Sequence, residues 1–151
     1  MFSRILVPID FSEYTTEVLA YATDIAEKFS STIHLMHVIP KMDYFGVYES
    51  FVASENIAAV QESTESEVER DLAGVAGKIT GIPVVRAIRR GVSFVEILEY
   101  VRTEDIDLVI MATHGRGGLN IIIGSAAEKV LRKSPCPVLT IRPAKKQVKV
   151  T

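Results

Sequence analysis

The chain lacks most of what staples, anchors or decorates a fold. One cysteine, Cys136, stands among 151 residues, so no intrachain disulfide can form, and its setting between Pro135 and Pro137 fits neither a redox pair nor a metal cluster. No apolar run is long enough to cross a bilayer. Ile5 to Ile9, broken by Pro8 and closed by Asp10, is too short for a signal-peptide core. A formal net charge of -2 gives no general attraction for nucleic acid or anionic lipid, and the short basic tail Lys145 to Lys149 has no interleaved aromatics. The absences point to a reducing compartment, the cytoplasm, with neither a membrane nor a nucleic acid as partner. Catalytic signatures are missing too. There is no nucleophile elbow ordered with His and Asp, no zinc spacing, and no arginine finger or water-orienting Gln. The expectation is no catalytic residue, no metal site of the protein's own, and a binding module rather than an enzyme, with slow hydrolysis of a bound ligand left open.

What is present is an ordinary globular mixture, 48% hydrophobic and 24% charged, of a size that one domain spanning 1–151 accounts for. Ile5 to Ile9 reads as a strand. Val18, Leu19, Ala22, Ile25, Ala26 and Phe29 then recur at helical spacing. Thr32 to Ile39 is a second strand, stopped by Pro40. Its His34 and His37 fall on opposite faces and read as packing residues. Lys41 to Asn56 reads as a long loop with room for a helical turn, and Ile57 to Ile79 as a charged amphipathic helix with Val60, Val68, Leu72, Val75 and Ile79 inward. Pro83 to Arg89, with Val85, Ala87 and Arg89 on one face, is a third strand. A helix from Ser93 follows, carrying Phe94, Ile97, Leu98 and Val101. Asp107 to Met111 is a fourth strand, a last helix opens at Gly124-Ser125, and Pro137 to Ile141 is the fifth strand. Strands that alternate with helices and are apolar on both faces imply a doubly wound α/β fold with a mostly parallel five-stranded sheet. Ligands of such folds sit beyond the carboxyl ends of the strands, where the winding reverses. Here that means Asp10 and the glycine-rich stretch after Met111.

The stretch Met111-Ala112-Thr113-His114-Gly115-Arg116-Gly117-Gly118, followed by Gly124-Ser125 and a helix, suits phosphate. Glycines let backbone N–H groups approach phosphate oxygens, and a helix N-terminus adds unpaired donors and a positive dipole end. Neither common fingerprint fits. No Lys precedes Ser125 as a Walker loop requires, and no glycine follows the first strand as a dinucleotide fold requires. Ser125 with Glu128 can also form a capping box, and Asp10 or Ser12 with Glu13 can cap the first helix. His114 can donate to a phosphate or hold the loop through a backbone carbonyl, and Arg116 can pair with phosphate or face solvent. A carboxylate at Asp10 is well placed for a ribose hydroxyl.

Six blocks together resemble the universal stress protein family: Ile5 to Ser12, His37-Val38, Gly91 with its following helix, Met111 to Gly118, Gly124 to Leu131, and Ser134 to Val138. The resemblance spans nearly the whole chain and implies a sheet of order 3-2-1-4-5. It also implies an ATP site, with ADP and AMP as the other candidates and Mg²⁺ alongside. In that site Pro8 shapes the pocket, Asp10 meets ribose or adenine, and the Val38 backbone faces the adenine edge. Met111, Ala112, His114 and Gly115 lie along ribose and phosphates, and Gly124, Ser125 and Ala126 close on the phosphate chain. A homodimer through the fifth strand, Val138 to Ile141, is implied as well, and an apolar edge strand independently invites such pairing. Two positions depart from the ATP-binding pattern. Ala112 stands where it has its first glycine, and one residue fewer separates Gly115 from Gly124. The competing expectation is therefore a dimeric interaction protein of the same fold that binds no nucleotide.

Overall fold

The computed structural model describes residues 1–41, 54–114 and 123–142, with the side chains of 54–61 excepted. Among the described residues, five strands, β1 (Arg4–Pro8), β2 (Thr32–Pro40), β3 (Val84–Gly91), β4 (Leu108–Ala112) and β5 (Val138–Ile141), alternate with four helices. The helices are α1 (Thr15–Phe29), α2 (Ser54–Gly77), α3 (Ser93–Thr103) and α4 (Ser125–Lys133). All sheet pairings are parallel and the strand order is β3-β2-β1-β4-β5. The doubly wound reading therefore stands.

The two-residue period of a strand explains how one sheet feeds two cores. Ile5, Val7, Ile9, Ile33, Leu35, Leu108 and Ile110 join Val18, Ala22 and Ala26 of α1 and Leu72 of α2 in one buried cluster. The intervening Leu6, Met36, Val109 and Met111 join Ile97, Tyr100 and Val101 of α3 and Ala127 and Val130 of α4 in the other. Helices thus cover both faces, which is what strands apolar on both sides require.

Three local readings change. Phe29, placed on the buried stripe of α1, is 43% exposed and lies edge-on to Phe2, 5.2 Å between ring centroids. The helix read from Ile57 begins three residues earlier, at Ser54; residues 42–53 lie outside the described ones. The expected cap of α1 by Asp10 or Ser12 does not form. The helix starts at Thr15 with Tyr14 at its cap position and no side-chain cap bond, because the Asp10 carboxylate accepts from the nearby Ser12 N–H at 2.9 Å instead. Short side chains of this kind favour a local turn two residues on.

Candidate functional site

The order β3-β2-β1-β4-β5 reverses the winding between β1 and β4. The crossovers from these two strands leave to opposite sides and open a crevice at their carboxyl ends. Register fixes what meets there. Pro8 pairs with Met36 and Leu6 with Val109, so continuing both ladders two to four residues brings Asp10, Val38 and Thr113 to one level across the strand ends. Pro8, Asp10, Val38 and Ala112 are half-buried there. Met111 is buried with its side chain in the core, which leaves its backbone as the part able to face a ligand.

On the β1 side the chain turns sharply. Phe11 adopts a left-handed backbone, φ 58°, which a non-glycine residue holds only where its surroundings support it. Its ring lies against His37, 4.7 Å between centroids, and His37 Nδ1 donates to the Ile9 carbonyl at 2.7 Å. A carbonyl can only accept, so the bond assigns a proton to Nδ1. Partial burial first, then the neighbouring Glu13 and Asp10, raises the Tyr14 phenol above its ordinary value of 10.0. The rim near Asp10 is thus locally acidic.

The β4 side is built around Thr113. Its N–H donates to the Ile141 carbonyl of β5 at 3.0 Å, and its own carbonyl accepts from the Gly124 N–H. Its hydroxyl is hydrogen-bonded to His114 Nδ1 at 2.8 Å, and both side chains are buried. His114 is thus tied to the end of β4 through a neighbouring hydroxyl. Gly124 caps α4 with φ -68° and ψ 157°, a conformation open to any residue. Space is what selects glycine here. A Cβ would lie 3.1 Å from the Thr113 carbonyl oxygen.

The close approach sets the N-terminus of α4 directly on the end of β4. The Ser125-Glu128 capping box is absent: Ser125 is the first helical residue, one place too late to cap. Glu128 instead pairs with Arg132 at 2.8 Å. Ser125 is exposed and Ala126 half-buried, so the hydroxyl stands at a helix start whose early N–H groups have no intrahelical acceptor. Gly115 and Arg116 lie outside the described residues, so the structure brings together nine of the eleven positions singled out in the sequence. His37 and Thr113 carry structural weight in the crevice that sequence reasoning missed. The parity of His37 along β2 and the hydroxyl next to His114 were the available signals.

The fold and this crevice define a doubly wound α/β protein that offers a strand-end carboxylate opposite a helix N-terminus. The particular family follows from comparison. The family model described as the universal stress protein family matches residues 1–142, and the chain belongs to that family. The universal stress protein MJ0531 of Methanocaldococcus jannaschii is 27% identical, over 97% of this chain and 86% of its own length. MJ0577 of the same organism is 29% identical, over 94% and 96%. The solved structure of MJ0577 superposes with a TM-score of 0.83, over 97% of this chain and 99% of that one, at 28% identity. A universal stress protein of Archaeoglobus fulgidus solved in complex with dAMP shares the fold, with TM-score 0.59, 20% identity and coverage of 93% and 99%.

Proposed function

We propose that this protein is an adenine-nucleotide-binding stress-response module of the cytoplasm. It works as one domain over 1–151 and as a homodimer through Val138 to Ile141, with ATP as the favoured ligand and ADP and AMP as its competitors. The observation that carries the reading is the seating of the α4 N-terminus on the Thr113 carbonyl, opposite Asp10 across the crevice. In this reading the helix start serves phosphate and the Asp10 carboxylate serves ribose, on facing walls. In this reading Pro8 shapes the pocket, Asp10 accepts from a ribose hydroxyl and the Val38 backbone meets the adenine edge. The backbone of Met111, Ala112, His114 and Gly115, with Arg116, follows ribose and phosphates. Gly124, Ser125 and Ala126 present donors to the phosphate chain. Among the described residues no group of three or more His, Cys, Asp or Glu could hold a metal ion, so Mg²⁺ would arrive bound to the phosphates. The dAMP complex of a protein with this fold supports an adenine nucleotide as the class of ligand.

The test is direct. Denaturing purified protein and analysing the released small molecules by mass spectrometry should yield an adenine nucleotide, and calorimetric titration with ATP and AMP, each with Mg²⁺, should give measurable heat. Neither nucleotide nor heat leaves the second reading, a dimeric interaction protein that has lost the ligand. The alanine at position 112 and the shortened stretch before Gly124 are what favour that alternative. A slow ATPase switch is a third reading. It requires phosphate release that falls when Asp10 or Ser125 is replaced.

A further inference from the structure

We infer that His37 ends the β1–β2 ladder one bond early and so hands the Val38 N–H to the ligand, acting as a positioning residue for the base. The inference deepens the nucleotide reading and rests on it. The alternation of bonding directions along β2 fixes which groups face β1. Thr32 N–H donates to Ser3 on the β1 side, and Ile33 N–H donates to Pro83 on the β3 side. With a period of two, the even-numbered residues from Thr32 to Val38 turn their N–H and carbonyl toward β1. The ladder runs one step beyond β1, where Ile9 N–H donates to the Met36 carbonyl at 2.8 Å. In a parallel pair the following bond runs from the next even-numbered N–H, that of Val38, back to the Ile9 carbonyl.

At that carbonyl His37 Nδ1 donates instead, at 2.7 Å. The imidazole is held there by the ring of Phe11, whose left-handed backbone folds the chain back over it. His37 satisfies the acceptor that Val38 would otherwise use, so the Val38 N–H points past the end of β1 into the crevice. The same bond anchors the carbonyl immediately before Asp10, which fixes the carboxylate relative to Val38. A polar edge such as adenine N1 beside an amino group matches a strand-end N–H and carbonyl on one residue.

Two variants and two measurements test this on the full-length chain. In His37→Leu the side-chain donor is gone. In His37→Asn an amide N–H lies close to where Nδ1 was. Amide exchange followed by NMR without ligand should show Val38 exchanging about tenfold or more faster than Ile9 in the wild type and in His37→Asn, but protected like Ile9 in His37→Leu. ATP affinity should fall about two- to tenfold in His37→Leu, the loss of one hydrogen bond, and recover in His37→Asn. A Val38 amide as protected as Ile9 in the wild type overturns the inference, as does a His37→Leu protein with unchanged ATP affinity. Failure of every form to bind any adenine nucleotide overturns the nucleotide reading and with it the ligand role of His37. The exchange contrast, read without ligand, shows separately whether His37 ends the ladder.

Discussion

His34 and His37 show how much chemistry two residue positions can separate. Both lie on β2, three residues apart, and their opposite parity sends one to each core. His37 meets the Ile9 carbonyl on the α1 side. His34, on the α3 side, is bonded through Nδ1 to the Tyr100 hydroxyl at 2.7 Å, with both rings buried. Burial, the largest effect, lowers the His34 pKa from its ordinary 6.5, and Arg4 adds to this while Glu104 opposes it. Burial likewise raises Tyr100 from 10.0, with Glu104 adding and Arg89 opposing. The guanidinium of Arg89 lies 5.1 Å from the centre of the Tyr100 ring. A histidine depressed in the folded state binds its proton more readily when unfolded, so stability is full above about pH 6.5 and is lost as pH falls from there toward the folded pKa. The raised phenol gives the mirror effect, a loss beginning above about pH 10. Urea denaturation at pH 5 and pH 8 should therefore show the protein weaker at pH 5. His34→Leu alone should cost about 1–3 kcal/mol at pH 8, because it strands the buried Tyr100 hydroxyl, whereas His34→Leu with Tyr100→Phe should be nearly neutral and lose the acid-side slope. An unchanged slope in the double variant would place the titrating group elsewhere. The opposite faces of the two histidines were legible from parity alone. Their partners were not, since Tyr100 is 66 residues from His34 in sequence and no local pattern records a contact across a crossover.

At the scale of elements, the strands and helices were legible because the inner strands β1, β2 and β4 are apolar on both faces and the helices carry stripes of the 3.6-residue period. Ends were less so. Ser125 and Glu128 have the spacing of a capping box, yet α4 begins one residue earlier than that motif needs, with Gly124 as its cap. The reason is tertiary. The Gly124 N–H is taken by the Thr113 carbonyl, and a side chain at this position would crowd that oxygen. The same contact makes a prediction about the α4 N-terminus. In Gly124→Ala the backbone is unstrained, and the added Cβ must push against the end of β4 at 3.1 Å. The expected cost is about 1 kcal/mol of stability, rising in Gly124→Val as more atoms are forced in. The helix start should retreat from the crevice, so under the proposed nucleotide reading, in which adenosine would reach only the Asp10 wall, calorimetry should record a larger loss of affinity for ATP than for adenosine. Equal losses for the two ligands would argue that α4 does not hold the phosphates.

For the molecule as a whole, the two outer strands of the sheet differ in what they offer. The edge strand β3 carries Arg86, Arg89 and Arg90, charges that discourage another strand from pairing. At the other edge, β5 is Val138-Leu139-Thr140-Ile141, with no charge at all. Its inward bonds run from the odd-numbered side: the Pro137 and Ile141 carbonyls accept from Val109 of β4 and from Thr113 just past its end. The N–H groups of Val138 and Thr140 consequently point away from the sheet. Thr140→Pro removes one of these outward donors while sparing the β4–β5 ladder, a position where an edge strand tolerates proline. If two copies pair through β5, the wild type should sediment as a dimer and Thr140→Pro should shift toward monomer with its thermal stability otherwise close to native. Leu139→Pro, at an inward position, should instead unfold the edge. Because Thr113 bonds both β5 and the cap of α4, pairing through β5 would also stiffen the wall of the crevice. The Thr140→Pro monomer should then bind ATP more weakly than the dimer, and equal affinities would show that the two surfaces act independently.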